Sequence, residues 1–593
     1  MKKIVVLDRN RCRPGACDYV CIKACPLVND KKRPRAAIRL KKKTVFPVVN
    51  ESICIACGIC ISRCPWRALK STSIPAETEE IPVHMYEDSK FRLYRLPQLN
   101  KGRVVGLLGE NGIGKTTLLN ILAGNTIPNG GKFSSDAYES FLDNLSVPGM
   151  KKYFQDLSEK GTVAYKPQVL DPLRATEKDI RGTLESCDET GRLEEMSQLL
   201  QIEQLLDSSF SSLSGGELQR VSLAMTFLKD TQVYLVDEPA TYLDVKQRLR
   251  LSKLFREKVE DNKIVFVVEH DIAVLDYWSD IIHLLFGDPH VYGIVSRPLS
   301  VKNGINAFLI GKLKDENIIF RRKRIDFKKT VIERKWDKAL SIRFKPFVKS
   351  LGRFTLEVRV GGEIREGEVM VVMGENGLGK STFAKIISGI TGSAKKSALY
   401  DRISYKPQHL SKDFDGTVEE FILQHSRRYV RTKEFRIQLL HPLGIWHLMD
   451  RPISELSGGE LQRTYIAACL AKDAELYIID EGSAFLDARE RLKITGVVRN
   501  AVKKEKRAVL AIEHDIQIAE ALGDRVFLFN GIPGVHGFTA GPFRKRMGMN
   551  KFLQSLDITF RRDSETGRAR INKYNSKLDK YQREIGEYYY ETV

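Results

Sequence analysis

The sequence predicts an α/β fold in which two similar domains follow one another, after a small α+β domain rich in cysteine. The octapeptide Leu-Ser-Gly-Gly-Glu-Leu-Gln-Arg occupies residues 213–220 and returns unchanged at residues 456–463. Each copy follows a glycine-rich loop that ends in Lys-Ser/Thr, and each precedes an apolar strand that ends in Asp-Glu. Eight of the ten cysteines lie within residues 12–64. A long repeat with matching surroundings indicates that one whole domain is duplicated.

Length and composition are those of a globular multidomain protein. A chain of 593 residues suggests three to five domains, and a hydrophobic share of 42% can supply their cores. No apolar run approaches the roughly 18–20 residues that span a bilayer. The basic first residues precede an apolar stretch too short for a signal peptide. We therefore expect a cytoplasmic protein without a membrane segment.

The net charge of +21 is concentrated in three segments. Residues 1–75 carry a net +13, residues 311–350 carry +9 and residues 541–593 carry +5, whereas the rest of the chain is slightly acidic. A single basic run is about as often a solvated face as a binding surface. Three such runs around near-neutral domains favour a polyanionic partner, most simply nucleic acid.

The cysteines form two runs with the spacing of iron–sulfur ligands. The second run, Cys-x2-Cys-x2-Cys-x3-Cys-Pro, is typical of bacterial two-cluster ferredoxins, in which the fourth cysteine of each run binds the other cluster. Two four-cysteine zinc sites remain an alternative, and disulfides are disfavoured in a cytoplasmic chain. Cys187 and Cys469 are isolated and are interpreted as packing residues. One predicted [4Fe–4S] cluster has the ligands Cys25, Cys54, Cys57 and Cys60; the other has Cys12, Cys17, Cys21 and Cys64.

Two glycine-rich loops, at residues 109–116 and 374–381, have the pattern that cradles phosphate groups. An apolar strand predicted over 101–109 leads into the first loop, and a helix predicted over 116–123 follows it. Backbone N–H groups of such a loop bind phosphate oxygens at a helix N-terminus. The lysine would reach the β- and γ-phosphates of ATP, and the next hydroxyl would hold Mg²⁺. The predicted ATP-binding residues here are Gly109, Asn111, Gly112, Gly114, Lys115, Thr116 and Thr117, and in the second loop Gly374, Asn376, Gly377, Gly379, Lys380, Ser381 and Thr382.

An apolar strand ending in Asp-Glu follows each octapeptide, and a further apolar strand ends in Glu-His-Asp in both halves. The aspartate would bind Mg²⁺ through water, while the glutamate would polarise the attacking water. A single histidine in such a place could simply cap a strand, but its recurrence favours a sensor of the γ-phosphate. The predicted catalytic residues are Glu238, Glu481, His270 and His514, and the predicted Mg²⁺ aspartates are Asp237 and Asp480.

The first half contains about 25 residues more than the second between its phosphate loop and its Tyr-Lys-Pro-Gln motif. Residues 135–160 have apolar residues at helical spacing, interrupted by Val-Pro-Gly at residues 147–149. This pattern predicts a helix–loop–helix. A structural cap and a hairpin that docks a partner are equally compatible with it.

The repeats and the composition give predicted domain boundaries. The domains are residues 1–75, the cysteine-rich domain; 76–297, the first nucleotide-binding domain with its helix–loop–helix at 135–160; 298–315, a first hinge; 316–540, the second nucleotide-binding domain; and 541–593, a second hinge.

Both halves resemble the ATP-binding-cassette (ABC) ATPases in every motif above. This resemblance implies two P-loop ABC domains in tandem, paired head to tail within a monomer. It also implies that Gln168 and Gln408, each in Tyr-Lys-Pro-Gln, contact Mg²⁺ and the attacking water, and that the octapeptide of each half covers the ATP of the other. The residues that it adds to the ATP sites are Ser214, Gly215, Gly216, Glu217, Ser457, Gly458, Gly459 and Glu460 from the octapeptides, and Asp244 and Asp487 from the turns after Asp-Glu.

The whole combination resembles the ABC-E ribosome-recycling ATPases, also called the RNase L inhibitor family. The resemblance rests on the two-cluster ferredoxin-like module, the tandem cassettes, the helix–loop–helix, and the strings at residues 304–306, 548–553, 558–563 and 570–573. It implies splitting of ribosomes with a release factor or Pelota-like factor in the A site, contacts to rRNA and the small subunit, and a connection to initiation factors. A DNA-repair ATPase, a cluster-assembly ATPase and a transporter subunit are the alternatives.

One residue departs from the family pattern and from the first half. Gly482 follows the second Asp-Glu, where the first half has Pro239. Glycine loosens this turn. We therefore expect Gly482→Pro to leave folding intact and to change turnover at the second site.

Overall fold

The computed structural model describes residues 2–8, 11–30, 37–40, 45–51, 53–74, 81–87, 91–160, 163–175, 179–325, 341–390, 402–426, 432–505 and 507–589. The chain divides into two compact units. One contains Met1–Pro97, Asn111–Lys151 and Leu285–Ser296, and the other contains Gln98–Glu110, Lys152–Leu284 and Arg297–Val593. None of the helices in the described ranges combines the length and apolarity that a membrane crossing needs.

The cysteine-rich segment is a small α+β structure, as predicted. Strands β1 and β4 form an antiparallel ladder from Lys2 opposite Ile74 to Leu7 opposite Leu69. The sequence has two short basic runs between the two cysteine groups, at residues 31–35 and 41–43, and both lie outside the described residues. The elements up to residue 97 are β1 (Lys2–Leu7), α1 (Pro14–Cys17), α2 (Val20–Lys23), β2 (Ile38–Leu40), β3 (Pro47–Val49), α3 (Ile59–Arg63), β4 (Leu69–Ile74), β5 (His84–Met85) and β6 (Arg92–Tyr94).

The first nucleotide-binding domain follows. Its elements are β7 (Arg103–Leu108), α4 (Lys115–Leu122), α5 (Ala137–Asp143), α6 (Met150–Lys160), β8 (Val163–Lys166), α7 (Ile180–Cys187), α8 (Leu193–Leu200), α9 (Gly215–Phe227), β9 (Val233–Asp237), α10 (Val245–Glu260), β10 (Ile264–Val268), α11 (Ile272–Trp278), β11 (Ile281–Asp288), β12 (Tyr292–Val295), β13 (Leu299–Ser300) and α12 (Val301–Ile310). The predicted strand before the first phosphate loop, the helix after it and the helix–loop–helix are confirmed, the last as α5 and α6.

Parallel strands form the core sheet of this domain within the second unit. Their order is β11-β7-β10-β9-β8, and each neighbouring pair is parallel. The strands are continuous apolar runs because helices cover both faces. Within the first unit, β6 pairs with β5 and β12, and β12 also pairs with the last four residues of β11.

The second nucleotide-binding domain repeats this arrangement. Its sheet order is β17-β18-β25-β24-β20-β23-β22-β21, so that β24-β20-β23-β22-β21 matches β11-β7-β10-β9-β8. The elements are β14 (Lys312–Leu313), β15 (Ile318–Ile319), β16 (Ser341–Phe344), β17 (Phe347–Leu351), β18 (Phe354–Val358), β19 (Gly362–Arg365), β20 (Val369–Met373), α13 (Lys380–Ile387), β21 (Ile403–Lys406), α14 (Val418–His425), α15 (Lys433–Phe435), α16 (Gly458–Ala471), β22 (Leu476–Asp480), α17 (Ala488–Glu505), β23 (Ala508–Ile512), α18 (Ile516–Leu522), β24 (Arg525–Ile532) and β25 (His536–Arg544).

The segments predicted as hinges are folded. The first contains α12, whose Ile305, Phe308 and Leu309 are buried. The boundary predicted at residue 540 lies inside β25, which remains paired with β24 as far as Arg544. The last elements are α19 (Lys545–Ser555), β26 (Phe560–Arg562), β27 (Ala569–Ile571) and α20 (Lys577–Glu584).

Candidate functional site

The second phosphate loop connects β20 to α13, at the carboxyl edge of the parallel strands where ligands bind in such sheets. Gly379 caps α13 with a φ of +87° and lies against the ring of Phe354, where an added Cβ would approach the ring to 2.9 Å. Gly374 has a φ of +153°, and a Cβ there would lie 2.5 Å from the carbonyl oxygen of Phe529. Only glycine fits both positions, and the loop leaves the first N–H groups of α13 open to a phosphate.

Lys380 is held inside this loop. Its Nζ donates to the carbonyl oxygens of Gly374, at 2.9 Å, and Glu375, at 2.6 Å. Burial lowers the pKa of Lys380 to about 8, against the opposing effect of nearby carboxylates, of which Asp244 is the largest. The ammonium group is therefore poorly compensated, and a phosphate group would be a stronger partner than two loop carbonyls.

Ser381, Gln408 and Asp480 place oxygen atoms together beside the loop. Ser381 Oγ lies 3.5 Å from Gln408 Oε1 and also donates to the carboxylate of Asp480. Tyr405 donates its hydroxyl to Asp480 Oδ2 at 3.2 Å, whereas the buried Asp480 Oδ1 has no hydrogen-bond partner among the described residues. Hydroxyl, amide and carboxylate oxygens are the ligands that Mg²⁺ prefers, and an unsatisfied buried oxygen fits a hydrated cation.

The glutamate that follows Asp480 has a strained backbone, and two side chains contact its carboxylate. Glu481 has a φ of +51°, which is rare for a residue with a side chain and is found at functional sites. Its Oε1 accepts from Gln408 Nε2 at 2.6 Å and lies 3.2 Å from His514 Nε2. Burial acts to raise the pKa of Glu481, but His514 and the positive charges of Lys380 and Lys406 prevail and lower it. The carboxylate is thus ionised and able to polarise water.

The first domain repeats this glutamate arrangement. Glu238 has a φ of +47°, and its Oε1 accepts from Gln168 Nε2 at 2.8 Å and lies 3.2 Å from His270 Nε2. Asp237 ends β9 and is fully buried. Helix α4 belongs to the first of the two compact units. Its first turn consists of Lys115, Thr116 and Thr117, of which Lys115 is buried. Its glycine cap, Gly114, has a φ of +100°.

Each octapeptide begins a helix with a serine cap. Ser214 caps α9 in a capping box with Glu217, and Ser457 caps α16 in the same way with Glu460. A Cβ on Gly216 would lie 3.1 Å from the carbonyl oxygen of Tyr242 in the turn after Asp-Glu. The glycine at this position therefore allows the serine-capped helix end to lie close against that turn.

Residues from the two domains meet at the second phosphate loop. Asp244 Oδ2 accepts the backbone N–H of Asn376 at 2.8 Å, and Asn376 Nδ2 donates to the carbonyl oxygen of Tyr242 at 3.0 Å. Lys246 forms an ion pair with Glu375 at 3.0 Å. The structure thus brings together Asp244 and Asn376, two predicted ATP-site residues from opposite halves.

The reciprocal turn makes a comparable contact. Arg489, two residues after Asp487, pairs with Glu110 of the first phosphate loop at 3.3 Å. Asp487 caps α17 by accepting the N–H of Glu490 at 2.8 Å. Glu110 also pairs with Arg321 at 3.1 Å, so the two loops are not held identically.

Sequence reasoning missed two buried lysines. Lys406 donates to the carbonyl oxygens of Asp480, at 2.7 Å, and Glu481, at 3.2 Å, while Lys166 donates to that of Asp237 at 2.8 Å. Burial lowers the pKa of each lysine to about 8. Their presence in both copies of Tyr-Lys-Pro-Gln was the available signal. Each lysine fixes the backbone of the predicted Mg²⁺ aspartate, which the predicted catalytic glutamate follows directly.

The cysteines lie in the two groups that the spacing predicts. A cavity is lined by Cys25, Cys54, Cys57 and Cys60, with an otherwise apolar wall. Burial, followed by the neighbouring thiolates of Cys54, Cys57 and Cys25, raises the pKa of Cys60 to about 11. Four thiols around an apolar cavity fit an iron–sulfur cube, because metal ligation is what stabilises their thiolate forms.

The second group is centred on Cys12. Burial and the nearby thiolates of Cys21, Cys17 and Cys64 raise its pKa to about 12. The fourth cysteine of each run therefore lies with the first three of the other run. Cys469 is buried in the core of the second domain and Cys187 is half-buried, consistent with packing roles.

Comparison with protein families matches both domains and the cysteine-rich segment. The ABC transporter family, which consists of ATP-hydrolysing cassettes, matches residues 97–241 and 359–484. The 4Fe-4S binding domain family matches residues 47–70. The protein is thus an ATPase of the ABC type that uses ATP with Mg²⁺ and carries an iron–sulfur cluster.

Relatives match over the full length. An uncharacterized ABC transporter ATP-binding protein of Methanocaldococcus jannaschii is 41% identical, covering 99% of this chain and 97% of the relative. The translation initiation factor RLI1 of Saccharomyces cerevisiae is 35% identical, covering 99% and 98%.

Solved structures agree with this result. A model of ribosome-bound archaeal Pelota and ABCE1 contains a chain that is 40% identical, with a TM-score of 0.92 over 100% of this chain and 99% of that one. The archaeal ribosome recycling factor aABCE1, in complex with the ribosomal stalk protein aP1, is 43% identical, with a TM-score of 0.79 over 87% of this chain and 100% of that one. With this identity along its whole length, the chain belongs to the ABCE1/RLI1 family, the RNase L inhibitor family of ABC ATPases.

Proposed function

We propose that this protein is an ATP-driven ribosome-recycling factor that splits ribosomes into subunits after termination or stalling. Support comes from the match to ribosome-bound ABCE1 over the whole chain, including the cysteine-rich segment. The three basic segments supply the charge that a partner rich in rRNA requires. Acting on ribosomes places the protein in the cytoplasm.

The observation that carries the mechanism is the contact between the turn after the first Asp-Glu and the second phosphate loop. Asp244 and Lys246 of the first domain bind Asn376 and Glu375 of the second. We infer that each ATP is bound between two domains. Ser214 and Gly216 complete the site of Lys380, and in the same way Ser457 and Gly459 complete the site of Lys115.

The geometry of the second site supports the roles that we propose for its residues. Lys380 exchanges its two carbonyl partners for phosphate oxygens when ATP binds. Ser381, Gln408 and Asp480 would hold Mg²⁺, whose charge neutralises the phosphate oxygens. Glu481 takes the proton of the attacking water, and His514 orients Glu481 and contacts the γ-phosphate.

The first site uses the equivalent set. Thr116, Gln168 and Asp237 would hold Mg²⁺, Glu238 is the base, and His270 is the sensor. ATP holds the two domains together through these shared sites, and hydrolysis releases them.

The cysteine-rich domain acts as a rigid lever in this scheme. We propose two [4Fe–4S] clusters, with the ligand groups given above, that stiffen a domain too small for a large core. Closure of the ATPase domains moves this lever between the ribosomal subunits, next to a release factor or Pelota-like factor in the A site. The protein then stays on the small subunit until hydrolysis, where it meets initiation factors. The helix–loop–helix of α5 and α6 is the proposed contact to rRNA in the first domain.

We propose the predicted domain organisation with one change. The cysteine-rich domain is 1–75, the first ATPase domain 76–297, the first hinge 298–315 and the second hinge the C-terminal remainder. The second ATPase domain runs from 316 to 544, because β25 belongs to its sheet up to Arg544.

Sedimentation with ribosomes from the same source tests the proposal. With a non-hydrolysable ATP analogue the protein is expected to travel with the small subunit, and with ADP it is expected at the top of the gradient. The double variant Glu238→Gln/Glu481→Gln should accumulate on small subunits with ordinary ATP, because both sites bind but do not hydrolyse it. Sedimentation at the top in every nucleotide state would contradict ribosome recycling and favour the DNA-repair or cluster-assembly alternatives.

A further inference from the structure

The seventh residue of the repeated octapeptide is a buried glutamine in both copies. Gln219 on α9 is 2% exposed, and Gln462 on α16 is fully buried. Neither lies at the helix end that faces the nucleotide. A buried amide on a helix requires a hydrogen-bond partner, and the partner indicates its role.

Both glutamines bind the backbone of the catalytic glutamate of their own domain. Gln219 Nε2 donates to the carbonyl oxygen of Glu238 at 2.9 Å, and Gln462 Nε2 donates to that of Glu481 at 2.6 Å. The N–H groups of the same glutamates donate to β10 and β23, at 3.0 Å in each case. The backbone of the glutamate is thereby fixed from both sides.

This fixation maintains a conformation that a glutamate does not adopt by itself. Glu238 and Glu481 both lie in the left-handed region, with φ values of +47° and +51°. A residue with a side chain stays there only when its surroundings hold it. The direction of the side chain depends on this backbone conformation, and so does the position of the carboxylate beside Gln168 or Gln408.

The helices that carry the glutamines begin at the other ATP site. Under the proposed function, Ser214 at the start of α9 covers the ATP bound by Lys380, whereas Gln219 on the same helix holds the base of the first domain. α9 is a rigid connection of little more than one turn between these two residues.

We propose that Gln219 and Gln462 are positioning residues that hold the catalytic glutamates and transmit the presence of ATP at one site to the base of the other. This proposal rests on the shared sites of the proposed function. ATP that binds Ser214 shifts or stabilises α9, and Gln219 transmits that change to the backbone of Glu238. Gln462 acts in the same way between Ser457 and Glu481.

The direct test uses chains in which a single base is active. In a Glu481→Gln background the first domain alone hydrolyses ATP, and Gln219→Met replaces the amide by a side chain of similar shape without a donor. We expect kcat to fall about ten- to a hundredfold with little change in the KM for ATP, because a displaced base weakens chemistry and not binding. An unchanged kcat would overturn the positioning role. Gln198→Met, an exposed glutamine on α8, is the matched control.

The transmission is tested by a double-mutant cycle in the same background. Lys380→Ala prevents ATP from binding at the second site. In the chain that keeps Gln219, this substitution should lower the kcat of the first domain. In the Gln219→Met chain it should have no further effect. Equal effects of Lys380→Ala in both chains would overturn the transmission while leaving the positioning role intact.

Two measures keep the outcome interpretable. If Gln219→Met does not fold, Gln462→Met in a Glu238→Gln background tests the same proposal on the second base. All rates are measured without ribosomes. A failure of ribosome recycling therefore shows in sedimentation of the unmodified chain, and a failure of this inference shows in the ATPase kinetics.

Discussion

At the residue scale, the two candidate active sites differ in the turn that follows Asp-Glu. In the first domain, the carboxylate of Glu269 accepts the backbone N–H groups of Ala240, at 2.6 Å, and His270, at 2.9 Å. In the second domain, the equivalent Glu513 accepts the hydroxyl of Ser483 at 2.6 Å. Pro239-Ala240 has become Gly482-Ser483, so a side chain has replaced part of the backbone support of a buried carboxylate.

The carboxyl group of Glu513 is a pH-dependent element beside this turn. Burial raises the pKa of Glu513 to about 7, with Asp515 and Glu481 adding to the shift and Ser483 and Lys406 opposing it. The pKa of Glu513 is higher in the folded than in the unfolded state. The stability that its protonated carboxyl group contributes is therefore fully present below about pH 4.5 and is lost as the pH rises through 7. Glu513→Gln keeps an acceptor for Ser483 but removes the titration. We expect the variant to gain about 1–3 kcal/mol relative to the native chain between pH 5.5 and 8.

Melting curves across this pH range check the prediction. Ser483→Ala is the informative companion, because removing the hydroxyl should raise the pKa of Glu513 further and move the loss of stability to higher pH. A constant difference between the native chain and Glu513→Gln across the range would show that Glu513 does not titrate there.

Gly482→Pro is now expected to affect folding as well as turnover. Gly482 does not lie in the left-handed region, but an added Cβ would approach Cγ2 of the buried Ile479 to 2.8 Å. Overpacking of this kind costs about 1–3 kcal/mol. Ile479→Leu moves the branch away from Cβ and should recover part of the loss in the double variant. Melting temperature and second-site turnover in a Glu238→Gln background measure the two effects, and a fully stable single variant would contradict the steric argument.

The residues of the ATP sites could be predicted because their chemistry demands fixed types at fixed spacings. Lys380, Asp480 and Glu481 were identified in this way. The buried Lys406 and Gln462 were not identified as functional, because a lysine or glutamine in a helix or strand pattern does not reveal that its partner is a backbone carbonyl. Arg321 was also missed, since its pairing with Glu110 joins segments far apart in the sequence.

At the scale of elements, local patterns predicted what local physics determines. The helix–loop–helix follows from apolar spacing and from the Val-Pro-Gly break, and α5 ends at Asp143 and α6 begins at Met150. The predicted hinge at 298–315 contains α12. This helix was not predicted, because Pro298 and Gly311 on either side of it indicate a loop. A helix that is stabilised by burial of Ile305 and Phe308 gives little signal before its neighbours are known.

The cysteine-rich element allows a direct test of cluster ligation. If Cys25 and Cys54 bind the same cluster, then Cys25→Ser/Cys54→Ser should retain about four of roughly eight iron atoms per chain. If each run instead binds its own cluster, the double variant should lose both. Cys25→Ser/Cys64→Ser is the matched control, which should lose both clusters in the proposed arrangement. Iron and labile-sulfide analysis, with spectra of the reduced protein, distinguishes the two arrangements.

At the scale of the whole molecule, the C-terminal hairpin of β26 and β27 joins the two ATPase domains. Asp276 on α11 of the first domain binds Arg568 at 2.6 Å and Arg570 at 2.7 Å. On the other side, Gln517 of α18 donates to the carbonyl oxygen of Ala569 at 2.7 Å. The hairpin thus contacts a helix of each domain, α11 after His270 and α18 after His514. These contacts could not be predicted from a segment without catalytic motifs.

The buried charges of this connection give the last prediction. Arg568 is fully buried and the side chain of Asp276 is 4% exposed, so Asp276→Asn leaves two guanidinium groups short of their counter-charge. Breaking a buried pair in this way should cost about 3 kcal/mol, whereas Lys314→Ala, which removes an exposed pair with Glu565, should cost about 0–1 kcal/mol. Replacing Asp276 together with the fully buried Arg568, in Asp276→Leu/Arg568→Met, should recover much of the loss, because Arg570 keeps Asp563 at 3.5 Å as a counter-charge. Thermal unfolding of the full chain measures all three, and a loss in Asp276→Asn no larger than in Lys314→Ala would show that the hairpin does not hold the domains through this pair.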